Sequence, residues 1–172
     1  ILVIATGRFA YGWAEMAKRI EIKIDIIDFG KDKALDVETV SKKLLSEPKN
    51  KYKAILLTQV DTSTSVKNDI KSLRKKLTEI ECQSLLAVDC IASLACDRFE
   101  MDAWGVDVMV AACQKGLMVP PGMGFVFFNH RAEERQRELK NVSLYWDWEP
   151  RVNPDRYYCL LYTSPSPRDE TK

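Results

Sequence analysis

Histidine is nearly absent: His130 is the only one in 172 residues. Imidazole is a leading metal ligand and the usual base of hydrolytic triads. One histidine therefore argues against an imidazole metal cluster, and against a histidine-based triad unless His130 itself serves. Paired cysteines are missing too. Cys82, Cys90, Cys96, Cys113 and Cys159 show no CxxC spacing, which argues against metal knuckles and redox motifs and fits reduced thiols in a cytoplasmic setting. Neither sign of charge dominates. Lys and Arg number 26 against 25 Asp and Glu, so no global basic field draws the chain to nucleic acid or anionic membrane. A small-molecule partner is the expectation. The longest apolar runs, such as Ala54–Thr58 and Gly124–Phe128, fall far short of the roughly 20 residues that a bilayer span needs. The glycine and acidic motifs of a dinucleotide site are also lacking. Ile1 to Ala5 has neither the basic leader nor the long apolar core of a signal peptide. It reads as a buried strand, and a start there without Met leads us to expect further protein before it.

What is present is a core-forming pattern. With 46% hydrophobic and 30% charged residues, the chain has the composition and length for one well-buried domain or a piece of one. Candidate strands are Leu2 to Ala5, Ile22 to Ile27, Ala54 to Thr58, Ser84 to Val88, Val106 to Ala111 and Gly124 to Phe128. Most are apolar on both faces, the mark of buried parallel strands. Between them, Val66, Ile70, Leu73, Leu77 and Ile80 recur at helical spacing with lysines and acids opposite, which predicts an amphipathic helix beginning at Val66. Trp13, Met16, Ala17 and Ile20 predict a shorter helix. Val37, Val40 and Leu44 predict a third behind Asp36 as N-cap, and Arg131 to Leu139 a charged surface helix opened by His130. Strands alternating with helices imply an α/β fold, a mostly parallel sheet with flanking helices. Right-handed crossovers then gather the functional loops at the carboxyl ends of the strands.

Strand-end polar residues carry the chemistry. Asp89 closes the run Leu85 to Val88, where a carboxylate is poorly solvated unless a cation or donor faces it. Lys115 follows the apolar run Val106 to Ala112 and precedes Met118, Val119, Pro120, Pro121 and Gly122, an uncharged neighbourhood expected to desolvate its ammonium in part. Alone, an aspartate there can be a turn or cap residue, and a lysine a solvated surface group. Together they suggest pyridoxal phosphate: a lysine to hold the cofactor as a Schiff base and an aspartate to keep its pyridine nitrogen protonated. A third strand end offers Thr58, Gln59, Val60, Asp61, Thr62, Ser63, Thr64 and Ser65, as helix caps or ligand groups. A fourth offers Thr6, Gly7, Arg8 and Phe9, a turn whose aromatic is either core or a stacking plate for a flat ring.

At these residues the chain resembles the class V aminotransferases of fold type I, specifically the alanine:glyoxylate and serine:pyruvate branch. The resemblance runs from Leu2 to about Tyr158 through Thr6-Gly7-Arg8-Phe9, Asp61-Thr62-Ser63-Thr64, Val88-Asp89-Cys90-Ile91-Ala92-Ser93-Leu94 and Gln114-Lys115-Gly116-Leu117 with Pro120-Pro121-Gly122. It implies part of the large domain of a PLP-dependent transferase over 1–158, with pyridoxal 5'-phosphate as cofactor. Lys115 then looks like the Schiff-base lysine, Asp89 like the partner of the pyridine nitrogen, and Gln114 like a phosphate ligand. Phe9 resembles the aromatic stacked on one ring face, Ile91 the aliphatic residue beneath the other, and Thr62 the hydroxyl near the phenolic oxygen. The implied reaction is transamination between a small amino acid, alanine or serine, and a 2-oxo acid, glyoxylate or pyruvate, in a homodimer with shared sites.

The chain departs from the family pattern in Cys113, where relatives often have Ser, and in Gln59 to Ser63, where they have a His-Gly-Glu-Ser-Ser run. The family's glycine-rich phosphate turn would lie before residue 1, and its substrate-carboxylate arginine in a smaller C-terminal domain. A cysteine desulfurase or lyase of the same fold is the first rival, disfavoured because those relatives usually carry His where this chain has Gln114. A non-binding α/β fragment is the second. From Cys159 the sequence turns to a Pro- and Ser-rich tail without apolar periodicity, expected to be disordered or non-native over 159–172.

Overall fold

A computed structural model describes residues 1–140 and 142–152. The expectations for 153–158 and for the tail at 159–172 lie outside those residues. In chain order the elements are β1 (Leu2–Ala5), α1 (Arg8–Arg19), β2 (Asp25–Asp28), α2 (Val37–Leu45), β3 (Ala54–Thr58), β4 (Val60–Asp61) and β5 (Val66–Lys67). There follow α3 (Ile70–Glu79), β6 (Leu85–Asp89), β7 (Val108–Ala112), β8 (Gly124–Phe128), α4 (His130–Arg137) and α5 (Glu149–Val152). The chain divides into two units, Ile1–Glu134 and Arg135–Lys172.

The first unit is a six-stranded sheet in the order β2-β1-β3-β6-β7-β8, with β4 and β5 as a separate antiparallel pair. All pairings from β2 to β7 are parallel. The alternation of side chains along a strand explains why these segments are apolar throughout. Leu2 and Ile4 of β1 enter one core with Ile55, Leu57, Leu86 and Val88, covered by Val40 of α2 and Ile70, Leu73 and Leu77 of α3. Val3 and Ala5 enter the other core with Ala10 and Ala14 of α1. Both faces of β1 are therefore buried, as the sequence predicts for a sheet with flanking helices.

Three expectations are corrected. The last strand, β8, pairs antiparallel with β7, and as an edge strand it leaves Val126 and Phe127 exposed rather than buried. In α1 the buried positions are Ala10, Ala14 and Ala17, while Met16 and Ile20 point outward at 59% and 69% exposure. Small side chains let this helix lie close on β1, which the bulky stripe would prevent. The long stripe from Val66 is also cut short. Val66 belongs to β5, and α3 starts at Ile70 because Asp69 caps it, accepting from the Ser72 backbone N–H at 2.9 Å.

Helix ends account for the shifted strand boundaries. Glu21 adopts φ 59°, its N–H bonds Lys18 O at 3.0 Å, and the Ile22 N–H bonds Ala17 O at 2.9 Å. This is the left-handed C-terminal motif that satisfies the last helical carbonyls, so residues 20–22 end α1 and β2 begins only at Asp25. At α2 the expected cap is present: Asp36 accepts from the Thr39 N–H at 2.8 Å. In the second unit, Gln136 bonds Asp147 at 2.7 Å, and Tyr145 and Trp146 meet edge to face at 4.9 Å.

Candidate active site

Because β1, β3, β6 and β7 run parallel in one sheet, their carboxyl ends share one edge. Thr58 lies beside Asp89, and Asp89 beside Val110. That edge carries Thr6 to Phe9 from β1, Gln59 to Ser63 from β3, Asp89 to Ile91 from β6, and Gln114 and Lys115 after β7. The chain leaves β1 and β3 toward opposite sides of the sheet, so their ends form the crevice in which open α/β sheets bind ligands. Asn68 braces it. Its Nδ2 donates to Thr6 Oγ1 and to Thr58 O, both at 2.9 Å, while its Oδ1 accepts from Leu35 N–H at 2.9 Å. Nothing in the local sequence singles out Asn68, since its partners are 10, 33 and 62 residues away.

Asp89 is the most unusual group on this edge. It is buried at 5% exposure. Oδ1 accepts the Ile91 backbone N–H at 2.8 Å, and Oδ2 has no hydrogen-bond partner among the described residues. Burial pushes the carboxyl above its ordinary range, the Ile91 N–H opposes that, and the charge of Asp61 adds to the rise. A desolvated carboxylate without a cation is poised to accept a charged donor. The free acceptor Oδ2 thus fits the N–H of a protonated pyridine ring, and Ile91 lies half-buried next to it.

Lys115 differs from expectation. It is solvent-exposed, as is Gln114, so the apolar flanks do not desolvate it within this chain. The turn that carries it is nevertheless held firmly. Met118 N–H bonds Lys115 O at 2.9 Å, and Cys113 N–H bonds Met123 O at 3.1 Å. The Cys113 thiol donates to Pro120 O at 3.1 Å and accepts from the Met123 N–H at 3.4 Å. Cys113 therefore closes the base of the lysine turn, a role that a serine hydroxyl can also fill. Gly116 packs so tightly that a Cβ there would lie 2.1 Å from Leu94 O and 2.8 Å from Cys96 Sγ.

The hydroxyl cluster does not cap α3. It forms the turn between β4 and β5, and its one acid caps α1 instead. Asp61 Oδ2 accepts from the Phe9 N–H at 3.0 Å. Its Oδ1 accepts from the Ser63 N–H at 3.0 Å and from the Ser63 hydroxyl at 2.6 Å. Ser63 Oγ in turn accepts from the Arg8 N–H at 3.0 Å. Phe9 stands in the first turn of α1 at 45% exposure, and Thr62 is exposed on the facing turn. Sequence reasoning weighed this run for its hydroxyls and missed Asp61, although it is the only acid among them. Among the described residues no three His, Cys, Asp or Glu side chains cluster as a metal site, and no helix is long and apolar enough to cross a membrane.

The sequence and the fold both have known relatives. The family described as aminotransferase class-V matches residues 1–146. Serine–glyoxylate aminotransferase of Arabidopsis thaliana is 30% identical over 148 residues, covering 86% of this chain and 37% of the relative. The soluble hydrogenase 42 kDa subunit of Anabaena cylindrica is 33% identical over 86% of this chain and 38% of its own length. The crystal structure of an alanine–glyoxylate aminotransferase from Nostoc sp. superposes with a TM-score of 0.81 at 24% identity, over 91% of this chain and 42% of that one, a likeness of fold. The chain thus spans about two fifths of the length of these proteins. With the family pattern matched from Ile1 across the sheet to Trp146, this chain belongs to the class V aminotransferases.

Proposed function

We propose that this chain supplies the lysine-bearing part of the active site in a pyridoxal 5'-phosphate-dependent aminotransferase. The whole protein would transfer the amino group of a small amino acid such as alanine or serine to a 2-oxo acid such as glyoxylate or pyruvate. One relative bears the name of a hydrogenase subunit, so family membership alone does not give the reaction. The observation that carries the reading is Asp89: a buried carboxylate with one free oxygen and no cation bonded to it, on the same sheet edge as Lys115.

When bound, the cofactor supplies an electron sink for the pair left on the substrate α-carbon. Asp89 would hold the proton on the ring nitrogen through its free Oδ2, a charge already in place where negative charge develops. Lys115 would bind the cofactor carbonyl covalently, and once displaced by substrate its Nζ would carry the proton from the α-carbon. Gln114 would donate to the phosphate, Thr62 to the phenolic oxygen, and Phe9 and Ile91 would enclose the ring. A homodimer and a cytoplasmic location belong to the same proposal, the latter supported by free thiols at Cys82, Cys90, Cys96 and Cys113. Addition of pyridoxal phosphate to the purified full-length protein is the test. A yellow absorbance band that is lost in Lys115→Ala supports the reading, and its absence from the unmutated protein overturns it.

A further inference from the structure

Asp61 is fully buried, at 0% exposure. A buried carboxylate is costly unless its oxygens are well satisfied, and exposed helices are capped adequately from within their own sequence. Asp36 and Asp69 do this for α2 and α3, each reaching a backbone N–H three residues on. For α1 the arrangement differs. Its N-cap residue is Gly7, which has no side chain to offer, and its first turn contains no acid. The negative charge that the helix N-terminus favours arrives from Asp61, 52 residues away from the Phe9 N–H it accepts.

The long reach has a geometric consequence. One carboxylate holds two pieces of chain: Oδ2 takes the first turn of α1 at Phe9, and Oδ1 takes the β4–β5 turn at Ser63. Ser63 closes the loop back to Arg8 N–H. Thr62 lies between the two residues that make these bonds. Gly7 is the space that permits the clamp, since a Cβ there would lie 2.3 Å from Asp61 Cγ.

We propose that Asp61 is a positioning residue of the cofactor site, locking the turn that carries Thr62 onto the turn that carries Phe9 so that both side chains meet the ring in a fixed relation. This rests on the functional reading above. Asp61 touches neither cofactor nor substrate; it acts through Phe9 and Thr62, as supporting shells do in preorganised sites. The same carboxylate also adds to the electrostatic setting of Asp89.

A double-mutant cycle on the full-length protein tests it, with pyridoxal phosphate affinity read from the Lys115-dependent yellow band and stability read from the urea midpoint. Asp61→Asn is expected to weaken affinity by about tenfold, and by far less in a protein that already carries Phe9→Ala, because residues that act through one another couple. Ser63→Ala, which keeps the Asp61 carboxylate, should weaken affinity in the same direction and serves if Asp61→Asn does not fold. Amide exchange at the Phe9 N–H should speed up in both variants. A lowered urea midpoint with unchanged affinity overturns the proposal and leaves Asp61 a helix cap only. An equal loss of affinity with and without Phe9→Ala overturns it too. Failure of the unmutated protein to turn yellow is a different result: it removes the functional reading, and this inference falls with it.

Discussion

Arg131 Nη1 straddles both carboxylate oxygens of Asp107, at 2.9 and 3.1 Å, and so ties the start of α4 to the start of β7. Asp107 is completely buried, and it also accepts from the Leu86 N–H at 2.8 Å and from Asn129 Nδ2 at 2.9 Å. Arg74 approaches it from α3 at 3.6 Å. This network sits at the opposite edge of the sheet from Lys115, so its part is to join elements. Asp107→Ala should cost roughly 3 kcal/mol, because it leaves the Leu86 N–H, the Asn129 amide and the half-buried Arg131 without their shared acceptor. Urea denaturation checks this; a loss below about 1 kcal/mol would show that solvent replaces the carboxylate.

Asp89 gives the opposite expectation. Its folded pKa is raised, chiefly by burial, so the protonated carboxyl is the form the fold favours. The associated stability is present at low pH and is lost as pH rises through the raised value. Asp89→Asn should therefore melt at a higher temperature than the unmutated, cofactor-free chain at neutral pH, with the gap closing as pH falls. In the whole enzyme, Asp89→Ala should reduce turnover much more than cofactor retention. Comparable losses of both would count against its role at the ring nitrogen.

Gly116 has no room for a methyl group. Its nearest neighbour is the backbone oxygen of Leu94, which cannot rotate aside, so Gly116→Ala should destabilise by about 1–3 kcal/mol, as overpacking does. It should also displace the Lys115 turn and weaken the yellow band. Adding Cys96→Ala removes only the sulfur contact and should not restore either property. Full recovery in the double variant would mean that the sulfur, not the backbone, sets the limit.

Asp69 is a conventional cap with a pH signature. Bonds from the Ser72 hydroxyl and N–H hold its carboxyl below the ordinary range. Its contribution is present above the unfolded-state pKa and is lost as pH falls through the depressed folded value. At neutral pH, Asp69→Ala should cost about 1 kcal/mol, seen as a lower urea midpoint, and the difference should vanish in acid.

Much of the architecture was legible because its causes are local. Leu2–Ala5 is apolar at every position and Ala54–Thr58 at all but its last, the mark of a strand buried on both faces, and both are central parallel strands. Asp36 announced α2 because a cap acts within three residues. The edge on which Asp89 and Lys115 stand followed from topology, since parallel strands place all their carboxyl ends together. The stripe from Val66 misled because helical and strand positions can coincide in a short apolar pattern. Only Asp69 and the β4–β5 pairing decided where α3 begins.

What only the tertiary structure decided are the contacts between residues distant in sequence. That β8 returns antiparallel, that α1 turns its alanines inward, and that Asn68 joins β1 to β3 depend on partners outside the local stretch of chain. So does the task of Asp61. Sequence alone determined which residue types stand at the strand ends, because burial and periodicity act over a few positions. Packing decided which are desolvated, as Asp89 is and Lys115 is not, because solvent access depends on what the rest of the chain lays over each side chain.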